Sequence, residues 1–133
     1  MKQIYRELAL KAREARLNAY APYSKFGVGS ALLTKSGKIF TGCNVESSSY
    51  SLTICAERTA LFKAVSEGER SFLAIAVASD GPGFTPPCGA CRQVLMDITG
   101  NIDCIMIDSM DKIKTTKLKL LLPLAFSIVN LEH

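Results

Sequence analysis

The sequence predicts an α/β domain, a three-layer α-β-α sandwich around a mixed, roughly five-stranded sheet. Three observations lead there. Residues 72–78 are a continuous apolar run, the pattern of a strand covered on both faces, and 102–107 read as another buried strand. Two earlier segments flank a short polar turn and read as a hairpin. From the hairpin onward the order is helix–strand–helix–strand, which calls for helices on both faces of one sheet.

Element by element, residues 2–18 read as an amphipathic helix. Ile4, Leu8, Ala12, Ala15 and Ala19 recur at helical spacing, while Lys11, Arg13 and Glu14 turn elsewhere. Pro22 and its neighbours are expected to end it. Segments 26–33 and 38–43 flank Thr34-Lys35-Ser36-Gly37, the hairpin turn. Residues 44–51 are polar, carry four serines and read as loop. A helix over 55–67 is closed by Gly68, and the strand over 72–78 follows. The stretch 80–87 is loop, rich in Gly and Pro, and 89–98 is a short helix before the strand over 102–107. Residues 112–118 fit either an edge strand or a loop, and 120–129, apolar around Pro123, fits a short helix. Residues 1–130 are expected to form one domain. Leu131-Glu132-His133 looks like the remnant of an expression tag.

Composition narrows the function classes. The chain has 133 residues, 48% apolar and 21% charged, an ordinary globular mix that excludes intrinsic disorder. No apolar run reaches the roughly 18 residues that a membrane span needs. The N-terminus lacks the apolar stretch of a signal peptide, so the expectation is a cytoplasmic protein without a membrane partner. Net charge is +4, with basic residues scattered through 2–16 and 112–119. There is no Trp, and Phe and Tyr are not interleaved with those cations, which argues against a nucleic-acid partner. The only histidine is His133. If that residue belongs to a tag, Ser-His-Asp and Cys-His catalysis and His-ligated metals all fall away. Five cysteines remain, an odd number with no secretion signal, so metal binding or burial is expected over disulfides.

Two segments carry the chemistry: Thr53-Ile54-Cys55-Ala56-Glu57-Arg58 and Pro86-Pro87-Cys88-Gly89-Ala90-Cys91-Arg92-Gln93. Each sits at an expected helix start. Cys88 and Cys91 lie three apart across one helical turn, so both sulfurs share a face, and Cys55 supplies a third sulfur from the other helix. Helix N-termini favour thiolates through the dipole and the free backbone N–H groups. Three thiolates without a fourth ligand describe a tetrahedral Zn2+ with one open position, the mark of a catalytic rather than a structural zinc. A redox C-x-x-C would follow a strand in Trp-Cys-Gly-Pro-Cys-type surroundings, whereas this motif follows Pro86-Pro87. A structural site would need Cys43 or Cys104, and both are expected to pack instead. Glu57, two residues after Cys55, points away from Cys55 at a helix start. It would lie beside the metal without ligating it, where a carboxylate can move protons. In isolation the commoner explanation for such a residue is a first-turn acid complementing the helix dipole.

Cys-Ala-Glu-Arg at 55–58 together with Pro-Cys-Gly-Ala-Cys-Arg-Gln at 87–93 strongly resembles the cytidine deaminase family, specifically its small homotetrameric members. The resemblance extends through Tyr23-Ser24, Phe26-Gly27-Val28-Gly29, Asn44-Val45-Glu46, Tyr50, Leu121-Leu122-Pro123 and Phe126. It implies one zinc per subunit on Cys55, Cys88 and Cys91, with Glu57 as the proton shuttle, the arrangement described for zinc deaminases generally. By the same resemblance Phe26 is a wall against the pyrimidine, Asn44 and Glu46 clamp the ribose hydroxyls, and the backbone of Ala56 meets the base's polar edge. Tyr50 and Phe126 match positions through which neighbouring subunits complete one another's sites. Arg58 is implied as a donor to the cysteine sulfurs. Three thiolates around Zn2+ leave an excess of negative charge, which a guanidinium would drain. Arg92 is placed to share that work.

The implied reaction is hydrolytic deamination of cytidine and 2′-deoxycytidine to uridine and 2′-deoxyuridine with release of ammonia, a step of pyrimidine salvage. Ser47, Ser48 and Ser49, Asp97-Ile98 and Leu124 depart from the family's usual residues, and none belongs to the metal set. Rival readings are a deaminase for another cytosine-bearing compound such as blasticidin S, a silent zinc module, and a polynucleotide-editing enzyme. An intact Glu57 counts against the second and the weak basicity against the third.

Overall fold

The computed structural model describes residues 2–131, so Glu132 and His133 of the expected tag remnant lie outside the described residues. Five strands, β1 (Val28–Thr34), β2 (Ile39–Cys43), β3 (Phe72–Ser79), β4 (Asp103–Ile107) and β5 (Ile113–Lys117), form one sheet in the order β2-β1-β3-β4-β5. Only the β3–β4 pair is parallel, and the other neighbours run antiparallel, so the sheet is mixed. Helix α1 (Gln3–Ala15) covers one face, and α2 (Ala56–Ser66) and α3 (Gly89–Thr99) cover the other. This is the three-layer α-β-α arrangement that the alternation of elements calls for.

Each face is built on close approach. Helix α1 buries Leu8, Ala9, Ala12 and Ala15, and its short side chains let its backbone lie almost on the sheet. At Gly29 of β1 a Cβ would stand 2.0 Å from the Ala12 carbonyl oxygen and 2.4 Å from the Arg16 nitrogen. On the opposite face a Cβ at Gly42 of β2 would stand 2.5 Å from both the Ala56 oxygen and the Ala60 nitrogen. Because side chains alternate across a strand, Ala31 and Leu33 join the α1 core while Leu32 joins the α2–α3 core. The β3 and β4 runs are buried on both faces as expected, apart from Leu73 at the start of β3 and the half-buried Asp103 at the start of β4.

Several boundaries differ from the sequence reading. Helix α1 ends at Ala15 and passes into a 3-10 turn over Arg16–Asn18, well before Pro22. The buried stripe stops at Ala15, and with it the packing that holds a helix together. The first strand starts at Val28, leaving Phe26 and Gly27 outside the sheet. The ambiguous 112–118 segment is the edge strand β5. The short helix expected over 120–129 does not form. A single turn, α4 (Leu118–Leu121), stops ahead of Pro123, and Leu124 takes the left-handed φ of 51°. Proline cannot donate to a helical ladder, and a left-handed residue reverses the chain. Among the described residues no helix is long and apolar enough to cross a membrane.

One polar tie locks α1 to the far edge of the sheet. The Tyr5 hydroxyl donates to Asp103 Oδ2 at 2.6 Å, and Lys117 Nζ lies 2.5 Å from Asp103 Oδ1. Burial and the bond to the Asp103 carboxylate push the Tyr5 hydroxyl up to about 12. Burial works against the Asp103 carboxylate, but its bonds from Lys117 and Tyr5 more than offset this and hold it below its ordinary value. The folded chain therefore keeps the Tyr5 proton where the unfolded chain loses it. The contribution is complete below an unfolded tyrosine pKa of about 10 and is lost as pH rises through the folded value. Tyr5→Phe should destabilise the protein by about 1 kcal/mol at pH 8. In urea titrations its stability should then fall less between pH 10 and 12 than that of the native chain. Equal losses in the two proteins would contradict the tie.

Candidate active site

The site lies where two helices begin. Cys55 is the N-cap of α2 and Cys88 the N-cap of α3, each with extended backbone. Helices α2 and α3 share one sheet face, so their N-termini and free N–H groups converge. The Cys88 sulfur accepts the Cys91 N–H at 3.4 Å, which folds the C-x-x-C turn onto itself. Sγ of Cys88 lies 3.2 Å from that of Cys55 and 3.0 Å from that of Cys91, and the three sulfurs all fall within 4.8 Å of one another.

Their acidities diverge. The Cys55 thiol is drawn down to about 5, first by its hydrogen bond from Cys91 and also by the Arg58 guanidinium, against burial. Cys88 is pushed up by burial, and Cys91 by its bond to Cys55 and by burial. A trio of sulfurs at two positive helix ends, with one already an acid, is a donor set suited to zinc. Neither remaining cysteine joins them. Cys104 is buried in the α2–α3 core, and the Cys43 thiol donates to the Asn18 carbonyl at 3.4 Å.

Two charged side chains flank the sulfurs. Glu57 is 3% exposed, and its Oε2 accepts the Cys88 N–H at 3.2 Å. It lies in the first turn of α2 and does not belong to the sulfur cluster, as its spacing from Cys55 suggests. Burial pushes its carboxyl up, and the charge of Cys55 adds to this, while the backbone donors pull the other way. Arg58 Nη2 lies 3.6 Å from the Cys55 sulfur and 3.4 Å from the Thr53 carbonyl. Its Nε is buried and, among the described residues, has no hydrogen-bond partner. Arg92 does not share this contact. It donates from Nε to the Pro87 carbonyl at 2.7 Å and from Nη1 to the Leu121 carbonyl at 3.0 Å, pinning the loop before α3 to α4.

A cleft of about 220 Å3 opens above the sulfurs, and Phe26, Asn44, Glu46, Ala56 and Glu57 line it with Cys55 and Cys88. Phe26 is 40% exposed, so part of its ring faces open space. The Asn44 side chain is built in, accepting the Val28 N–H at 2.8 Å and donating to the Phe26 carbonyl at 2.9 Å. Glu46 Oε1 accepts the N–H groups of Tyr23 and Ser24, each at 3.0 Å, and Ser24 Oγ donates to Oε2. The bonds from Ser24 hold this carboxyl below its usual range. Ser24, Thr53, Thr85 and Pro86 line the cleft as well. None was singled out for a role from the sequence, because loop hydroxyls and prolines carry no signal beyond ordinary loop composition.

Tyr50 and Phe126 are not brought to this cleft. Tyr50 is 77% exposed and meets Tyr23 edge-on at 6.5 Å, in an adjoining hollow of about 330 Å3 that also includes Glu46. Phe126 is 57% exposed on the segment after α4, and its carbonyl accepts from Gln93 Nε2 at 2.9 Å.

Residues 2–107 match the family model for the cytidine and deoxycytidylate deaminase zinc-binding region. The chain is 49% identical over 128 residues to a cytidine deaminase of Sporosarcina psychrophila, covering 96% of this chain and 94% of that protein. It is 41% identical over 122 residues to a cytidine deaminase of Mycobacterium tuberculosis, covering 92% and 89%. The crystal structure of a Burkholderia pseudomallei cytidine deaminase superposes with a TM-score of 0.88 at 46% identity, over 95% of this chain and all of that one (100%).

Zinc content tests the ligand set. Protein purified without chelator should carry about one equivalent by the coordination count. Cys88→Ala should lose the metal and some stability with it, since metal binding energy is in part folding energy. Cys104→Ala should keep the metal. A Cys88→Ala protein with a full complement would move the site elsewhere.

Proposed function

The chain belongs to the cytidine and deoxycytidylate deaminase family, and from that membership we propose that it hydrolyses cytidine and 2′-deoxycytidine to uridine and 2′-deoxyuridine with release of ammonia. The observation that carries this is Glu57, a buried carboxylate set beside three cysteine sulfurs on the floor of a cleft sized for a small molecule. Zinc held by Cys55, Cys88 and Cys91 supplies, when bound, a Lewis acid that acidifies a water molecule. Everything else is the work of this chain's side chains.

Glu57 is oriented by the Cys88 N–H on its Oε2. The carboxylate takes a proton from water and gives it to ring N3, so that the water oxygen adds at C4. It then takes the remaining proton from the new C4 hydroxyl and gives it to the 4-amino group, so that the C4–N bond breaks, ammonia leaves and the C4 carbonyl forms. Phe26 stands against the pyrimidine face and keeps water off it. The Ala56 backbone, at the first turn of α2, meets the polar edge of the base. Asn44 has a second Nδ2 hydrogen beyond the one bound to Phe26, and Glu46 has free lone pairs on Oε2, so both can bind sugar hydroxyls. Arg58 draws charge from the Cys55 sulfur.

Residues 1–130 act as one catalytic domain, in the cytoplasm and in pyrimidine salvage, as a homotetramer. Exposed Tyr50 and Phe126 fit a role in a neighbouring subunit's site better than in their own. Because Glu46 is held ionised by Ser24, it favours a free 3′ hydroxyl and repels a phosphate there, which excludes polynucleotides.

A spectrophotometric assay with cytidine, 2′-deoxycytidine and cytidine 3′-phosphate tests the reading, on protein that should sediment as a tetramer. The native enzyme should turn over the two nucleosides and discriminate strongly against the phosphate. Glu57→Gln should retain zinc and lose about 10²–10⁴-fold in kcat, the scale of a positioned proton-transfer group. Near-native turnover in that variant would leave Glu57 as no more than a helix-start acid.

A further inference from the structure

We infer that Asp80 is a positioning residue for the base wall, acting on substrate through Gly27 and Phe26 without touching it; this rests on the proposed role of Phe26. Asp80 follows β3, and it does not line the cleft. Its carboxylate is nonetheless directed at the residue after Phe26. The Gly27 N–H donates to Asp80 Oδ2 at 2.7 Å, and the Asp80 N–H returns a bond to the Gly27 carbonyl at 2.9 Å. The two residues thus form a closed pair that joins the strap before β1 to the end of β3. Arg16 Nε, 3.6 Å from Oδ1, holds the other carboxylate oxygen from the α1 side.

The strap needs such a hold. Phe26 and Gly27 lie outside the sheet, with the bond from the Asp80 N–H to the Gly27 carbonyl as the one backbone rung past the Val28–Ser79 pair, and Lys25 just before is in the left-handed region at φ 61°. Phe26 is 40% exposed, so packing covers only part of its ring. The covered part abuts Gly81, where a Cβ would stand 3.4 Å from Phe26 Cε1. Asp80 therefore sets the backbone and Gly81 the ring, from adjacent positions on one loop. Gly27 admits no side chain at this point, since its Cβ would stand 2.9 Å from Asp80 Oδ2 and 3.0 Å from the Arg16 carbonyl. Around Phe26 the Lys25 N–H goes to the Ala21 carbonyl at 3.0 Å, the Phe26 N–H to Ser24 Oγ at 3.1 Å and Asn44 to the Phe26 carbonyl at 2.9 Å, while the Gly27 N–H goes to Asp80.

A wall that stacks on the base in both ground and transition states contributes uniform binding, so its misplacement raises KM and spares kcat. In the zinc-loaded enzyme, Asp80→Ala should raise KM for cytidine about fivefold to tenfold with kcat within about twofold, the strap being still held at Ser24 and Asn44. Asp80→Asn keeps an acceptor for the Gly27 N–H and should restore KM to near the native value. The decisive arm is Phe26→Ala, in which Asp80→Ala should add no further rise in KM, because residues acting as one unit are not additive. If Asp80→Ala does not fold, Asp80→Glu, which displaces the acceptor while keeping the charge, should reproduce the KM rise. An unchanged KM in the folded variants, or the same rise with and without Phe26, overturns the inference. Absence of cytidine turnover in the native protein would instead overturn the proposed function itself.

Discussion

The constraint on which the site depends is that two helices start side by side with cysteine at each N-cap. Cys55 and Cys88 are placed by α2 and α3 lying on one face of the sheet. Their approach depends in turn on what the sheet omits. Gly42 lets the first turn of α2 down onto β2, where any side chain would strike the Ala56 and Ala60 backbone. A displaced α2 would carry Cys55, Ala56, Glu57 and Arg58 with it, so the sulfur cluster, the buried carboxylate and the flanking guanidinium stand or fall together. On the far face Gly29 does the same for α1, and the Tyr5–Asp103–Lys117 tie holds that helix at the opposite edge of the sheet.

Electrostatics explains why the flanking charges sit as they do. Three sulfurs beside a buried carboxylate would be an unfavourable concentration of negative charge without opposition. The two helix N-termini oppose it, and so does Arg58, whose Nη2 lies against the sulfur of Cys55, the most acidic of the three. Burial and the Cys55 charge both favour the protonated form of Glu57, while the Cys88 N–H favours the carboxylate. A group balanced between such influences can both accept and release a proton.

Much of this was legible from residues alone, for identifiable reasons. The β3 run over 72–78 is an unbroken apolar stretch, and few structures other than a doubly covered strand suit it. The cysteine spacing places two sulfurs on one helical turn whatever the surroundings. Other features depend on contacts that no local pattern records. The end of α1 at Ala15 is set by where its buried stripe runs out on the sheet, and helical spacing continued through Ala19. The apolar composition of 120–129 suggested a helix, yet Pro123 and the left-handed Leu124 decide the backbone there. Arg92 sits next to Cys91 in sequence, but its guanidinium turns to the Pro87 and Leu121 carbonyls, a choice visible only once α4 is in place. Asp80 and the cleft hydroxyls of Ser24, Thr53 and Thr85 acquire meaning only through partners distant in sequence.

The central claim is that three sulfurs, from Cys55, Cys88 and Cys91, hold a zinc whose fourth position is left for chemistry. X-ray absorption at the zinc edge of the metal-loaded protein tests it most directly. The account predicts three sulfur neighbours at about 2.3 Å and one lighter neighbour, with the lighter shell changing when a cytidine analogue binds. Four sulfur neighbours, unaltered by the analogue, would mean a closed structural site and would contradict it.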